Sequence, residues 1–207
     1  MAAIETAGHF SGVSRETRER LAIYVETLQR WNQKINLIGR ATESDIWNRH
    51  IVDSAQLNTQ MPKARNWVDL GSGAGLPALI VAALRFEQST DFKMTVIESD
   101  QRKCAFMAEA ARKMGVPISI ENKRIENVTT TGFDVISARA LAPLTKLLSF
   151  AEPLRSENAT CLFPKGVRVD QELTEAAKDW HMIYDQIPSV TDKASVILKI
   201  EAFERVA

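Results

Sequence analysis

One segment constrains the fold of this 207-residue chain more than any other. Trp67-Val68-Asp69-Leu70 reads as a short strand. It runs into Gly71-Ser72-Gly73-Ala74-Gly75 and then into an apolar stretch ending near Arg85, which reads as a helix. A strand that turns through alternating glycines directly into a helix is the opening of a βα unit, and such units assemble side by side into parallel sheets. The same alternation recurs downstream. Strands are expected at Met94 to Ile97, Pro117 to Ile120, Phe133 to Ile136 and Ala159 to Phe163, with helices at Gln101 to Met114, Leu144 to Ala151 and Gln171 to Asp179. The last two strands, Met182 to Ile187 and Val196 to Ile200, are joined by a loop too short for a crossover helix. Parallel neighbours need a dozen or more connecting residues, so this pair is expected to be antiparallel.

Upstream of Asn66 the pattern is helical. Leu21, Val25, Leu28 and Ile35 recur at helical spacing with Trp31 alongside, Ser14 is placed to cap the start, and Gly39 to end it. A second helix is expected from Thr42, whose spacing to Asp45 suggests a capping box, to Leu57, ahead of Pro62. The predicted organisation is therefore an N-terminal helical extension over residues 1–62 and an α/β domain over 63–207.

Charge excludes one class of function. Lys plus Arg and Asp plus Glu number 26 each, so the chain lacks the bulk positive field of a non-specific nucleic-acid binder. A local basic face remains possible. Cys104 and Cys161 are far apart and no histidine stands at ligand spacing, so neither a metal site nor a disulfide framework is expected, only two packed thiols. There is no signal-peptide pattern and no apolar run of transmembrane length, which points to a cytoplasmic protein without membrane contact.

The glycine turn narrows the ligand. Dinucleotide sites favour G-x-G-x-x-G with a helix N-terminus on pyrophosphate. Here the spacing is G-x-G-x-G, and Asp69 precedes it. A carboxylate there would repel pyrophosphate but suits a cationic ligand such as S-adenosylmethionine, which carries a sulfonium and an ammonium. A side chain at Gly71 or Gly73 would occupy ligand space. Glu98 ends the second strand, where an acid accepts hydrogen bonds from ribose hydroxyls; alternatively it is a solvated strand-end carboxylate. Arg124-Ile125-Glu126 follows the third strand, so Ile125 can pack on an adenine ring and Glu126 can meet its polar edge. Ser137-Ala138-Arg139-Ala140 ends the fourth strand, which puts Arg139 where a methyl acceptor approaches; the competing reading is a surface arginine paired to an acid. His50, Asp53 and Ser54 share one helical face with Ile46 and Leu57, and are read as a packing network between helix and sheet.

Taken in order, these pieces resemble a known family. A parallel sheet ending in an antiparallel hairpin resembles the Rossmann-like class I methyltransferases. Trp31-Asn32, Asn36-Leu37, His50-Ile51-Val52-Asp53-Ser54, Asp69 to Pro77, Glu98-Ser99, Arg124-Ile125-Glu126, Ser137 to Ala140 and Lys165-Gly166 together resemble the bacterial small-subunit ribosomal RNA guanine-N7 methyltransferases, the glucose-inhibited division protein B family. The resemblance implies methylation of a guanine N7 in the decoding-region loop of 16S ribosomal RNA. It also implies S-adenosylmethionine contacts at Gly71, Leu76, Ile125, Glu126 and Arg139, beside Asp69, Gly73, Gly75 and Glu98. Two positions depart from the family pattern: Ala78 stands where a glycine is usual, and Lys193-Ala194-Ser195 where an arginine is usual.

Guanine N7 has a free lone pair and no proton to lose, so this chemistry needs positioning and no general base. No residue is assigned a catalytic role and no metal is expected. Arg40, Arg49, Arg124, Arg139, Lys165 and Arg168 come from elements able to meet around the crevice, and are read as contacts to RNA phosphates, with Lys165, Arg40 and Arg124 the foremost. The expected partner is 16S ribosomal RNA within the small subunit or its precursor, and the expected state a monomer. Two rival readings stay open: a nicotinamide-dependent oxidoreductase, separable by a cofactor-binding screen, and a non-catalytic RNA-binding assembly factor, separable by methyl release on ribosomal particles.

Overall fold

The computed structural model describes residues 12–89 and 91–206. The first eleven positions of the helical extension lie outside the described residues. Helix α1 spans Arg15–Asn32, a 3-10 turn Arg40–Asp45, a π-helical segment Trp47–Val52, and α2 Asp53–Gln60. Then follow β1 (Asn66–Leu70), α3 (Ala78–Arg85), β2 (Lys93–Ile97), α4 (Gln101–Met114), β3 (Ser119–Glu121), β4 (Phe133–Ala138), α5 (Leu144–Ala151), β5 (Arg155–Lys165), α6 (Val169–Ala176), β6 (Trp180–Pro188) and β7 (Val196–Arg205).

The seven strands form one sheet in the order β3-β2-β1-β4-β5-β7-β6. Every pairing from β3 to β5 is parallel. Strand β7 inserts antiparallel between β5 and β6, giving the terminal hairpin that the short connection required. From β1 the chain builds outward to β3, then returns to start β4 on the other side of β1. The crevice above the β1 and β4 ends is therefore the topological switch point, where such sheets bind ligands.

Side-chain alternation along β1 divides the core in two. Trp67 faces a cluster with Leu79, Phe106 and Met107, whereas Val68 and Leu70 face one with Leu144, Leu148 and Phe163. Among the described residues the N-terminal helices share the core of the sheet. Leu21, Tyr24 and Leu28 of α1, with Ile51 and Leu57, are buried in the same cluster as Trp67, and α1 lies on α4 while α2 lies on α3. Burying one such side chain stabilises by about 1.5–3 kcal/mol.

Two expectations about this region are corrected. Helix α1 starts at the Ser14 cap, whose hydroxyl accepts the Thr17 N–H at 3.0 Å, but stops at Asn32 rather than near Gly39. The Asn32 side-chain oxygen accepts the N–H groups of Leu37 (2.8 Å) and Ile38 (3.0 Å), which folds the chain back and leaves Ile35 off the helix. Thr42 opens no capping box, because its hydroxyl donates to the Gly39 carbonyl at 2.8 Å. The single helix expected from Thr42 to Leu57 is instead a 3-10 turn, a π-helical segment and α2 in succession. Strand ends also differ. Strand β5 runs eleven residues, well beyond the apolar Ala159–Phe163, because it pairs on both sides, and β3 begins at Ser119 rather than Pro117. Among the described residues no helix is long and apolar enough to cross a membrane.

Candidate functional site

A cleft of two connected cavities, about 1050 Å³ and 560 Å³, opens above the carboxyl ends of β1, β2 and β4. The glycine turn forms its floor. Gly71, Gly73 and Gly75 all have positive φ (60°, 55° and 70°). They differ in what surrounds them. A Cβ at Gly71 would run into Leu141, and one at Gly75 would stand 2.6 Å from Leu79 Cδ1. At Gly73 the nearest atom would be the Gly71 carbonyl at 3.8 Å, so that position faces open cavity. From below, the Tyr24 hydroxyl of α1 donates to the Ala74 carbonyl at 2.7 Å, an anchor that its place in an apolar helical stripe concealed. Leu76 is buried and lines the large cavity. Ala78, where a glycine is usual in the family, is the first residue of α3 and fully buried, a helical position that an alanine methyl fills without strain.

Asp69 lies beneath the turn, 0 % exposed, and does not line the cavity surface. Its Oδ1 accepts the Ser137 hydroxyl at 2.6 Å, and Ser137 accepts the Trp67 indole N–H at 2.9 Å. Its Oδ2 is buried with no partner among the described residues. Burial pushes the carboxyl up to about 6, against the Ser137 hydrogen bond. Ser137 was legible only as a small polar residue in an apolar strand end; buried polar groups of that kind require partners.

Glu98 is no solvated strand-end carboxylate. It is 8 % exposed, and its oxygens accept the N–H groups of Gly73 (3.0 Å) and Asp100 (2.8 Å). It thereby ties the glycine turn to the start of α4 and lines the smaller cavity beside Arg124, Ile125 and Glu126. Ile125 and Glu126 sit in the 3-10 turn Ile125–Asn127, and Arg124 is exposed at the rim.

Arg139 leaves the end of β4 and reaches the helical extension. Its guanidinium donates to Asp53 Oδ2 (3.3 Å), to His50 Nδ1 (3.1 Å) and to the Arg49 carbonyl (3.4 Å). Arginine has no acceptor, so Nδ1 is the unprotonated nitrogen. His50 Nε2–H then points at Thr42 Oγ1, 2.9 Å away. Burial, then the charges of Arg139 and Arg49, hold His50 down to about 4, so the ring is neutral at pH 7. Asp53 Oδ1 accepts Thr191 Oγ1 and Gln56 Nε2, each at 3.0 Å. His50 and Asp53 thus join helix to sheet as the sequence suggested, and in addition they line the large cavity with Arg139. Ser54 is buried and lines neither cavity. The β6–β7 loop, which lacks the family's usual arginine, meets an arginine from elsewhere: Asp192 pairs with Arg49 at 3.2 Å.

Opposite pH dependences follow for the two shifted groups. For Asp69, raised from 3.8 to about 6, the stability contribution is full below 3.8 and lost as pH rises through 6. For His50, lowered from 6.5 to about 4, it is full above 6.5 and lost as pH falls through 4. Each effect is on the order of 2–3 kcal/mol. Denaturant unfolding at pH 4.5 and 6.5 should show Asp69→Asn gaining on the parent at the higher pH and His50→Gln gaining at the lower. Variants with the parent's pH profile would contradict both assignments.

The residues expected to meet phosphate separate. Arg49 and Arg168 are exposed at the large cavity, Arg124 at the small one, and Arg40 is exposed on the 3-10 turn and lines neither. Lys165, read as a contact to RNA phosphate, also lines the large cavity, but its ammonium is engaged within the chain. The side chain is 8 % exposed, and Nζ is bound to Glu172 at 2.6 Å and to the Ala142 carbonyl at 3.3 Å. Among the described residues no group of three or more His, Cys, Asp or Glu is placed to hold a metal ion. Both thiols are free and buried.

A glycine cradle at the switch point, an acid beneath it, an acid at the end of β2 and an antiparallel β7 within the sheet define the Rossmann-like fold of class I S-adenosylmethionine-dependent methyltransferases. A solved SAM-dependent methyltransferase from Aquifex aeolicus superposes with a TM-score of 0.61 at 11 % identity, covering 86 % of this chain and 98 % of that one. The glycopeptide N-methyltransferase MtfA superposes with a TM-score of 0.59 at 9 % identity, covering 73 % of this chain and 95 % of the other. Residues 17–198 match the family described as rRNA small subunit methyltransferase G, and the chain belongs to that family. Relatives named Ribosomal RNA small subunit methyltransferase G include one from Ruegeria sp. (strain TM1040), 50 % identical over 94 % of this chain and 95 % of its own. Another, from Methylorubrum populi, is 47 % identical over 94 % of this chain and 92 % of its own.

Proposed function

We propose that this chain, a small-subunit ribosomal RNA methyltransferase, binds S-adenosylmethionine across the two connected cavities and methylates N7 of a guanine in the decoding-region loop of 16S ribosomal RNA. The observation that carries the cofactor reading is the Asp69 carboxylate. One of its oxygens is buried without a hydrogen-bond partner among the described residues, on the strand that leads two residues later into a glycine cradle open at Gly73. A cationic ligand above it supplies favourable charge, whereas a pyrophosphate would meet repulsion. S-adenosylmethionine, when bound, supplies an electrophilic methyl group on a sulfonium.

The chain's own residues bind and orient. Glu98 retains acceptor capacity for ribose hydroxyls beyond its two backbone bonds, and Ile125 and Glu126 line the same cavity for the base. Gly71 lines both cavities and Leu76 the large one, while Gly75 lines neither and shapes the turn by packing against Leu79. Arg139, held by Asp53 and neutral His50, presents fixed positive charge toward the large cavity, where the guanine enters. No group has to accept a proton from N7, so positioning is the chain's main contribution, worth roughly 7–11 kcal/mol where alignment is good. Arg49, Arg124 and Arg168, with Arg40 farther out, are the contacts for RNA phosphates. The reading places the enzyme in the cytoplasm, acting as a monomer on the small subunit or its precursor.

Glu98→Ala should weaken S-adenosylmethionine binding by about 1.5–3 kcal/mol, the range for hydrogen bonds to a charged group. Calorimetry finding less than a few tenths would put Glu98 outside the site. The reading as a whole is tested with methyl-labelled cofactor and small ribosomal subunits lacking the modification. Label is expected in the RNA as N7-methylguanosine; binding to the particle without transfer would favour the assembly-factor alternative.

A further inference from the structure

The loop from Ala140 to Pro143 crosses the junction of the two cavities. Gly71, Lys103, Ala140, Leu141 and Ala142 line both, and the Leu141 side chain packs on Gly71. Ala140 has φ 54° and is the one non-glycine with positive φ among the described residues. That conformation is strained for an L-residue and persists where the surroundings impose it. The restraint comes from β5 and α6. Lys165 Nζ donates to the Ala142 carbonyl at 3.3 Å and pairs with Glu172 Oε2 at 2.6 Å. The same Glu172 oxygen accepts the N–H of Leu144, the first residue of α5, at 2.8 Å. A carboxylate at a helix N-terminus is further favoured by the helix dipole. One ion pair thus grips the loop at Ala142 and immediately beyond its end.

We propose that the Lys165–Glu172 pair is a positioning device for the cofactor: it sets the Ala140–Pro143 loop so that Leu141 forms the wall over Gly71 where the two half-cavities meet. The proposal rests on the cofactor reading above and deepens it. It also gives Lys165 a different role from a phosphate contact. An ammonium already shared by a carboxylate and a carbonyl has to break a close ion pair to reach RNA, and separating such a pair leaves a partly buried charge uncompensated.

Because Glu172 acts through Leu141, its effect should vanish when Leu141 is truncated, whereas a purely structural role would make the two losses independent. The experiment is titration calorimetry of S-adenosylmethionine into the full chain and into Glu172→Ala, Leu141→Ala and the double variant. Each single change is expected to weaken binding at least fivefold, and the double variant to bind within about twofold of Leu141→Ala. Glu172→Gln keeps an acceptor for the Leu144 N–H, so it should fold like the parent, and it runs through the same cycle should Glu172→Ala fail to fold. Unchanged affinity in a folded Glu172 variant, or full additivity with Leu141→Ala, overturns the proposal. So does a Lys165→Met variant that loses affinity for ribosomal particles alone. Failure of the unaltered chain to bind S-adenosylmethionine overturns the cofactor reading along with it.

Discussion

Replacing Gly73 by aspartate is expected to abolish S-adenosylmethionine binding, by at least a hundredfold, in a chain that still folds. The backbone there has φ 55°, a left-handed conformation in which aspartate is among the better tolerated non-glycine residues. Its Cβ would meet nothing closer than the Gly71 carbonyl at 3.8 Å. The remainder of the side chain would extend into the cradle, where it displaces ligand and adds a charge beside Glu98, whose carboxylate already accepts the Gly73 N–H. Backbone strain of roughly 1–2 kcal/mol translates to about 2–8 °C in Tm for a chain of this size. Calorimetry with a thermal melt in parallel separates the outcomes. Near-parent affinity in a folded variant would remove the glycine turn from the site.

The second large effect is on stability. Ser137→Ala should cost about 3 kcal/mol, or about 6–12 °C in Tm. One hydroxyl serves two buried groups, donating to Asp69 Oδ1 and accepting from the Trp67 indole. Its removal orphans both inside a fully buried layer, and an unsatisfied buried polar group costs about 1–3 kcal/mol. Ser137→Thr keeps the hydroxyl and serves as the control. A loss below 0.5 kcal/mol for the alanine variant, measured by denaturant unfolding, would mean that another donor satisfies Asp69.

The βα grammar from Trp67 onward was readable because each strand is a short apolar run closed by a turn signal, and α4 and α5 fall at their expected ends. The antiparallel end of the sheet followed from one short connection. The region before Asn66 was less readable. Side-chain bonds from Asn32 and Thr42 override helical periodicity there, and a π-helical segment does not follow a 3.6-residue repeat. In the site, residues next to glycines or at strand ends were accessible to reasoning from position. Tyr24 and Glu172 were not, because each acts on the site from a distant element, and Ser137 and Leu141, in or next to the Ser137–Ala140 segment, show their partners only once β4 is packed beside β1. Lys165 carried the opposite difficulty: it was read as following a strand that ends at Phe163, whereas it is the last residue of β5, and only the fold reveals the carboxylate that occupies it.

The central claim, transfer to a guanine N7 of small-subunit ribosomal RNA, is tested most directly by mapping that modification in cells that lack the chain. N7-methylguanosine is selectively reduced and then cleaved by aniline, so each modified position yields a strand break. One break in the decoding-region loop of 16S ribosomal RNA should disappear when the chain is removed, return with the parent sequence, and stay absent with Gly73→Asp. An unchanged break pattern, or loss of a methyl group from another atom or another RNA, would contradict the account.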